Sequence, residues 1–220
     1  APTPVALTKP SFQVDTWNLV LFWDPDGRTL CCPGQLGSAR PGLYRIPVGG
    51  GEPTLVQEEA RCAVALSPDG RSLVWLAQDS TSTWSMWWAS PPDGPRHPYE
   101  PAPFTTSDWD DMPQARYSPD GSAVLLFCRA VGQDRAAWIL PWPPGKCGRA
   151  SVLFSHLSWM PDSRHVIVSA ERDLTQPFSL WLANPRTGRA WPILLSDKDA
   201  MRPSVSADGS SFVFTVSGGA

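Results

Sequence analysis

The chain has 220 residues, 42 % of them hydrophobic and only 18 % charged, with a formal net charge of −3. That is enough apolar material for a sizeable core and argues against disorder, while Lys and Arg are scattered singly and form no stripe that would bind nucleic acid. Twelve Trp and 25 Pro, with few runs of Ala, Leu, Glu and Lys, exclude a helical bundle and point to β-sheet with many turns.

In chain order, the N-terminal Ala1-Pro2-Thr3-Pro4 has no basic segment followed by an apolar one, so it offers no export signal to place the protein. A strand is predicted over Leu19 to Trp23, and it runs into the turn Asp24-Pro25-Asp26-Gly27. Pro at the second position presets φ, Asp at the third bonds nearby backbone, and Gly at the fourth relieves it, so the motif reverses the chain into a hairpin. An aromatic strand over Leu43 to Val48, the turn Gly49-Gly50-Gly51 and a short strand over Glu52 to Val56 complete the unit. The plan then repeats. Cys62 to Leu66 leads into Ser67-Pro68-Asp69-Gly70, then Ser72 to Ala77 and Trp84 to Ala89 with Pro91-Pro92-Asp93-Gly94. Ser118-Pro119-Asp120-Gly121 is followed by Ala123 to Cys128 and by Trp138 to Trp142 with Pro143-Pro144-Gly145. Met160-Pro161-Asp162-Ser163 precedes Leu180 to Ala183, the turn Arg186-Thr187-Gly188 and Ala190 to Leu195. Ser206-Ala207-Asp208-Gly209 comes last, with Ser211 to Val216 after it.

The turn aspartates are spaced by 43, 51, 42 and 46 residues, a period that suits one four-stranded propeller blade and is too long for a leucine-rich repeat. A twisted sheet of four strands cannot bury both faces alone, so such units pack face to face around an axis. Trp23, Trp75, Trp87, Trp159, Trp181, Phe127 and Phe214 are expected between the blades. The longest apolar runs are strand-sized and fall short of the roughly 20 residues that span a bilayer, so no membrane insertion is expected. The five cysteines (Cys31, Cys32, Cys62, Cys128 and Cys147) are odd in number and lack C-x-x-C spacing, and four of them read as small buried hydrophobes.

Leu66-Ser67-Pro68-Asp69-Gly70-Arg71-Ser72-Leu73-Val74-Trp75 resembles the x-S-P-D-G-[RK]-x-[LI]-x-[FW] signature of the TolB-like, WD-related propeller repeats. Leu157 to Arg164 looks like a variant of it, and Ser179 to Ala183 with Thr187-Gly188 resembles the third strand and turn of the repeat. The resemblance implies an all-β chain: a single domain over residues 1–220, a β-propeller of about five four-stranded TolB-like blades. The last blade is expected to be incomplete, because only one strand follows the fifth turn, and the chain to act as a monomer or as part of a larger chain. The stretch Pro2 to Thr8 resembles an outermost strand that could pair with the last blade, but no aromatic third strand remains to sit between the two, so the chain reads as a fragment of a larger propeller or as one with an incomplete blade. Propellers of this kind present loops to a protein or peptide, as periplasmic TolB does within an envelope complex, which implies an extracytoplasmic setting. Similar repeats form sensor regions of bacterial kinases and regulators, and the non-catalytic gating propellers of prolyl-oligopeptidase-type enzymes.

Catalytic signatures are not found: there is no G-x-S-x-G elbow, no H-E-x-x-H and no Walker loop. His97, His156 and His165 read as surface or hairpin residues, and Asp26, Asp69, Asp120, Asp162 and Asp208 as turn residues. The chain is therefore expected to bind rather than catalyse, without a cofactor. The candidate partner-binding residues lie where the outer strand of one blade leads into the inner strand of the next: Glu58 and Glu59; Asp108, Trp109, Asp110, Asp111 and Met112; Asp197, Asp199 and Met201. In a propeller these connections gather around one mouth of the central channel. Carboxylates there would attract a basic peptide or a cation such as calcium, with Trp109 and Met112 adding adaptable apolar contact.

Overall fold

Alternating and continuous apolar runs between the five turns fold into antiparallel sheets in the computed structural model, which describes residues 7–8, 11–15, 20–78, 83–101, 113–128, 136–151, 155–171 and 177–217. The first sheet holds β1 (Phe12–Val14), β2 (Phe22–Trp23), β3 (Thr29–Leu36), β4 (Gly42–Pro47) and β5 (Thr54–Glu58), in the order β1-β3-β4-β5 with β2 also on β3. The second runs β6 (Cys62–Leu66), β7 (Leu73–Gln78), β8 (Trp84–Ala89), β9 (His97–Pro98). The third runs β10 (Gln114–Tyr117), β11 (Ala123–Cys128), β12 (Ala136–Pro141), β13 (Gly148–Arg149). The fourth runs β14 (His156–Trp159), β15 (Val166–Glu171), β16 (Phe178–Ala183), β17 (Ala190–Leu194). The fifth has β18 (Ala200–Val205) and β19 (Phe212–Val216). Each sheet is a meander of antiparallel neighbours.

The inner strand of the first sheet departs from the expected Leu19 to Trp23. It is divided: β1 pairs with the far end of β3, Phe12 opposite Leu36, and β2 with the near end, Trp23 opposite Leu30. Of the stretch Pro2 to Thr8, which resembles an outermost strand, residues 2–6 lie outside the described residues, and Leu7 and Thr8 are in no strand.

All five signature turns close in one way. The N–H of the fourth residue donates to the carbonyl of the first, at 3.0 Å for Gly27, 2.8 Å for Gly70, 2.9 Å for Gly121, 3.1 Å for Ser163 and 2.9 Å for Gly209. The fourth residue is left-handed in each, with φ between 64° and 71° at the glycines and 55° at Ser163. Ser163 lacks glycine's freedom, but its hydroxyl accepts a hydrogen bond from the Asp120 N–H of the preceding turn at 3.0 Å. Successive turns also nest: a Cβ on Gly70 would stand 3.3 Å from Pro25, and one on Gly209 3.1 Å from Pro161.

Two compact units divide the chain, residues 1–108 and 109–220. In the first, Cys31, Leu43 and Val56 of the first sheet pack against Val64, Leu73, Trp75 and Ala89 of the second. In the second, Leu125, Phe127 and Ile139 pack against Trp159, Val166 and Val168, and Ile167 and Leu180 against Ala200, Phe212 and Phe214. Trp75, Phe127 and Trp159 are buried between sheets as expected, and Trp87, Trp181 and Phe214 are partly buried against the same clusters. Trp23 is the exception, 58 % exposed. Its neighbour Phe22 takes the core-facing side of β2, so strand alternation turns Trp23 outward.

Candidate functional site

In an antiparallel meander, the connection from one sheet's outer strand to the next inner strand lies at the same end as the connection between second and third strands. In the first unit this rule places the β5–β6 connection beside the end of β7 and the start of β8. They enclose a cleft of 380 Å³ lined by Asp15, Pro41, Glu59, Arg61, Cys62, Leu76, Ala77, Gln78 and Trp84.

Local hydrogen bonding fixes the connection. The Glu59 N–H donates to the Pro41 carbonyl at 3.0 Å and the Arg61 N–H to the Glu59 carbonyl at 2.9 Å, with Glu59 itself left-handed at φ 62°. This tight course aims the Arg61 guanidinium at Asp15, whose Oδ2 accepts from Nε at 2.7 Å and lies 2.6 Å from Nη2. The Asp15 side chain is only 4 % exposed and that of Arg61 45 %, so the carboxylate forms the floor while the cation reaches solvent. Leu76 and Ala77 give a buried apolar wall, Trp84 a half-buried indole, and Gln78 an exposed amide at the rim. Glu59, 52 % exposed, pairs with Arg96, whose guanidinium also lies 4.8 Å from the centroid of the Trp87 ring.

Of the residues expected from sequence, Glu59 lines this cleft. Glu58 turns away to Arg40, at 2.8 Å. Asp108, Trp109, Asp110, Asp111 and Met112 lie outside the described residues. In the second unit, Asp197 is exposed, while Asp199 is built into the backbone: its Oδ1 accepts from the Phe178 N–H and its carbonyl from the Ser217 N–H, both at 3.0 Å. Met201 is half-buried in β18, and its carbonyl accepts from the Thr215 hydroxyl at 3.0 Å. Among the described residues no group of three or more His, Cys, Asp or Glu is placed to hold a metal ion. Asp15 and Trp84 were missed as site residues: Asp15 meets Arg61 across 46 positions, and Trp84 reads from sequence as an ordinary strand aromatic.

No family profile and no curated protein matches the sequence. Solved structures do resemble it in fold. TolB from Acinetobacter baumannii aligns at 18 % identity with a TM-score of 0.64, over 88 % of this chain and 47 % of its own. A putative TolB from Agrobacterium tumefaciens aligns at 17 % and 0.69, over 94 % and 70 %. The β-propeller domain of the trilobed protease from Pyrococcus furiosus, described as having an open velcro topology, aligns at 10 % and 0.51, over 88 % and 77 %. The chain is thus an all-β propeller of TolB-like blades, spanning about half the length of the Acinetobacter TolB. Among the described residues, no helix is long and apolar enough to cross a membrane.

Proposed function

We propose that this chain is a non-catalytic, protein- or peptide-binding β-propeller module working outside the cytoplasm, and that the cleft beside Arg61 and Trp84 receives a segment of its partner. The wall chemistry carries the reading. Leu76, Ala77 and Trp84 offer apolar contact, while Arg61 and Glu59 set opposite charges on the rim at 45 % and 52 % exposure. An apolar pocket with a few convergent polar groups is the usual form of a recognition site, and an indole supplies much contact area for little ordering cost. Asp108, Trp109, Asp110, Asp111, Met112, Asp197 and Met201 are proposed as further partner contacts, the aspartates attracting basic segments and the Trp and Met side chains adding apolar contact.

Calorimetric titration with calcium and then with a basic peptide library tests this, comparing the parent with Trp84→Ala, with Glu59→Gln and with Asp108, Asp110 and Asp111 changed together to Asn. Peptide binding weakened about tenfold by Trp84→Ala or Glu59→Gln, with an unchanged melting temperature, supports the cleft. Binding that survives both places the partner elsewhere, and loss only in the triple variant assigns it to those aspartates.

A second reading, the accessory propeller of a prolyl-oligopeptidase-type peptidase, is favoured by the likeness to a protease's propeller domain. A serine-reactive fluorophosphonate, applied to the longest natural polypeptide that contains this sequence, separates the two. Labelling of a serine outside residues 1–220 supports the peptidase.

A further inference from the structure

Arg116 lies in β10, the inner strand of the third sheet, opposite Leu125 of β11, so the two side chains share a face. That face packs against the fourth sheet, where Leu125 belongs to one cluster with Leu157 and Trp159. The Trp159 Nε1–H donates to the Arg116 carbonyl at 3.2 Å. Gln114, two residues back on the same face, donates its Nε2–H to the Ser155 carbonyl at 3.2 Å. Arg116 therefore enters the seam between the inner strands β10 and β14, wholly within the second unit.

The guanidinium at its tip has little to bond. Nη1 donates to the Ala115 carbonyl at 2.9 Å, and no carboxylate among the described residues pairs with it. The Ser118 N–H donates to the Ala123 carbonyl, so by alternation Arg116 bonds to β11 and Ala115 points its carbonyl the other way. Reaching that carbonyl turns the guanidinium round the inner edge of β10. Its Nε–Nη2 side makes no hydrogen bond among the described residues. Burial lowers the Arg116 pKa from its ordinary value, and no neighbouring charge opposes the shift. Arg45 and Arg61 of the first unit show the usual arrangement, each holding a carboxylate at 2.7 Å. A partly buried cation without a counter-ion is costly, and Arg116 bears that cost uncompensated.

We propose that the Nε–Nη2 side of Arg116 is a binding site for one carboxylate of a partner polypeptide, held side-on by two parallel hydrogen bonds. The guanidinium is planar and presents those N–H groups at the spacing of carboxylate oxygens. Leu125, Leu157 and Trp159 make the seam apolar, which strengthens an ion pair formed there. The same surroundings favour a singly charged carboxylate over phosphate, whose larger charge is harder to strip of water. The ligand is an Asp or Glu side chain or a C-terminus, opposite in sign to the basic segments drawn to the acidic loops. Only its polypeptide origin rests on the binding role proposed above.

The test follows the Arg116 Nε–H resonance of the labelled protein by nuclear magnetic resonance. N-acetylglycine stands in for a C-terminus and N-acetylglutamate amide for a side chain, with the corresponding neutral amides and inorganic phosphate as controls. The expected result is a saturable shift with at least one carboxylate and none with the amides; whichever carboxylate binds more tightly identifies the source. Arg116→Lys, which keeps the charge but loses the parallel donors, is expected to weaken binding about tenfold. Arg116→Met is expected to abolish it without lowering the melting temperature, because it removes a charge that nothing in the protein offsets. The proposal is overturned if neither carboxylate shifts the resonance, if phosphate binds more tightly, or if Arg116→Met lowers the melting temperature. It is also overturned if changing Asp108, Asp110 and Asp111 together to Asn moves the resonance of the unliganded protein, since the chain's own acid then occupies the site. None of these readouts involves the first-unit cleft, so failure here leaves that reading untouched.

Discussion

Each signature aspartate earns its place through its acceptor oxygens. Asp26 takes the Arg28 N–H at 2.7 Å and the Thr29 N–H at 2.9 Å, Asp69 takes the Ser67 hydroxyl at 2.6 Å, and Asp162 takes two backbone N–H groups at 2.9 Å each. Hydrogen bonds to a carboxylate favour its charged form. At Asp208 the Ser206 hydroxyl, then the Ser210 N–H, hold the carboxyl down at about 2. At Asp120 and Asp162 burial pushes the other way, yet the Ser118 hydroxyl and the His165 ring respectively lead the bonds that outweigh it. A depressed folded value means that the stabilisation is full above the ordinary 3.8 and is lost as pH falls through about 2. Asp208→Asn, which cannot be protonated, is therefore expected to lose less stability than the parent across that window. Melting temperature followed by circular dichroism against pH checks it, and parallel acid limbs for the two proteins would remove the role. This chemistry was legible in the P-D-G motif. Asp24 was not, because it stands where three other copies have Ser and instead binds Arg45 at 2.7 Å, 21 residues on.

Among the strands, β7 bears the most on the core of the first unit. Trp75 is 0 % exposed, and its indole N–H has no partner among the described residues. Removing the side chain costs transfer energy and leaves a cavity, so Trp75→Ala is expected to destabilise by about 3–5 kcal/mol. Trp75→Phe leaves a smaller void and also removes a buried donor whose desolvation is uncompensated, so a loss of only about 1 kcal/mol is expected. Urea unfolding midpoints distinguish the two; equal costs would mean that the indole N–H is satisfied in solution. The strands flanking each turn were legible because turn chemistry and apolar patterning agree there. The bulges were not. β6 and β18 shift register around Ala63 (φ 46°) and Arg202 (φ 55°), left-handed residues with no Gly or Asn to announce them. The divided inner strand of the first sheet was hidden for a related reason: β1 and β2 are three and two residues long, too short to show a period.

Across the whole chain, the site was less legible than the fold because its partners come from far along the sequence. Glu58 and Glu59 read as open acids, but Arg40 and Arg96 reach them from 18 and 37 positions away, and neither arginine announces that role. The cysteines, by contrast, were read from strand context alone: Cys31, Cys32, Cys62 and Cys128 are buried, Cys147 is partly exposed, and none forms a disulfide. Burial pushes the thiols of Cys31 and Cys128 up to about 12 and that of Cys32 to about 11. The thiolate is the nucleophile, so these groups are doubly protected, by access and by ionisation. Alkylation of the native protein at mildly alkaline pH, followed by mass spectrometry, is expected to modify Cys147 first and the four buried cysteines only as urea unfolds their sheets. The same count bears on the compartment. In an oxidising setting, exposed pairs of thiols become disulfides, whereas buried ones stay reduced, here Cys31 and Cys32 on opposite faces of β3, Cys62 in β6 and Cys128 in β11. Protein recovered from an exported fraction and alkylated in denaturant is expected to take up label at all five positions. A shortfall of two would reveal a disulfide, and with it a rearrangement of the strands that bury them.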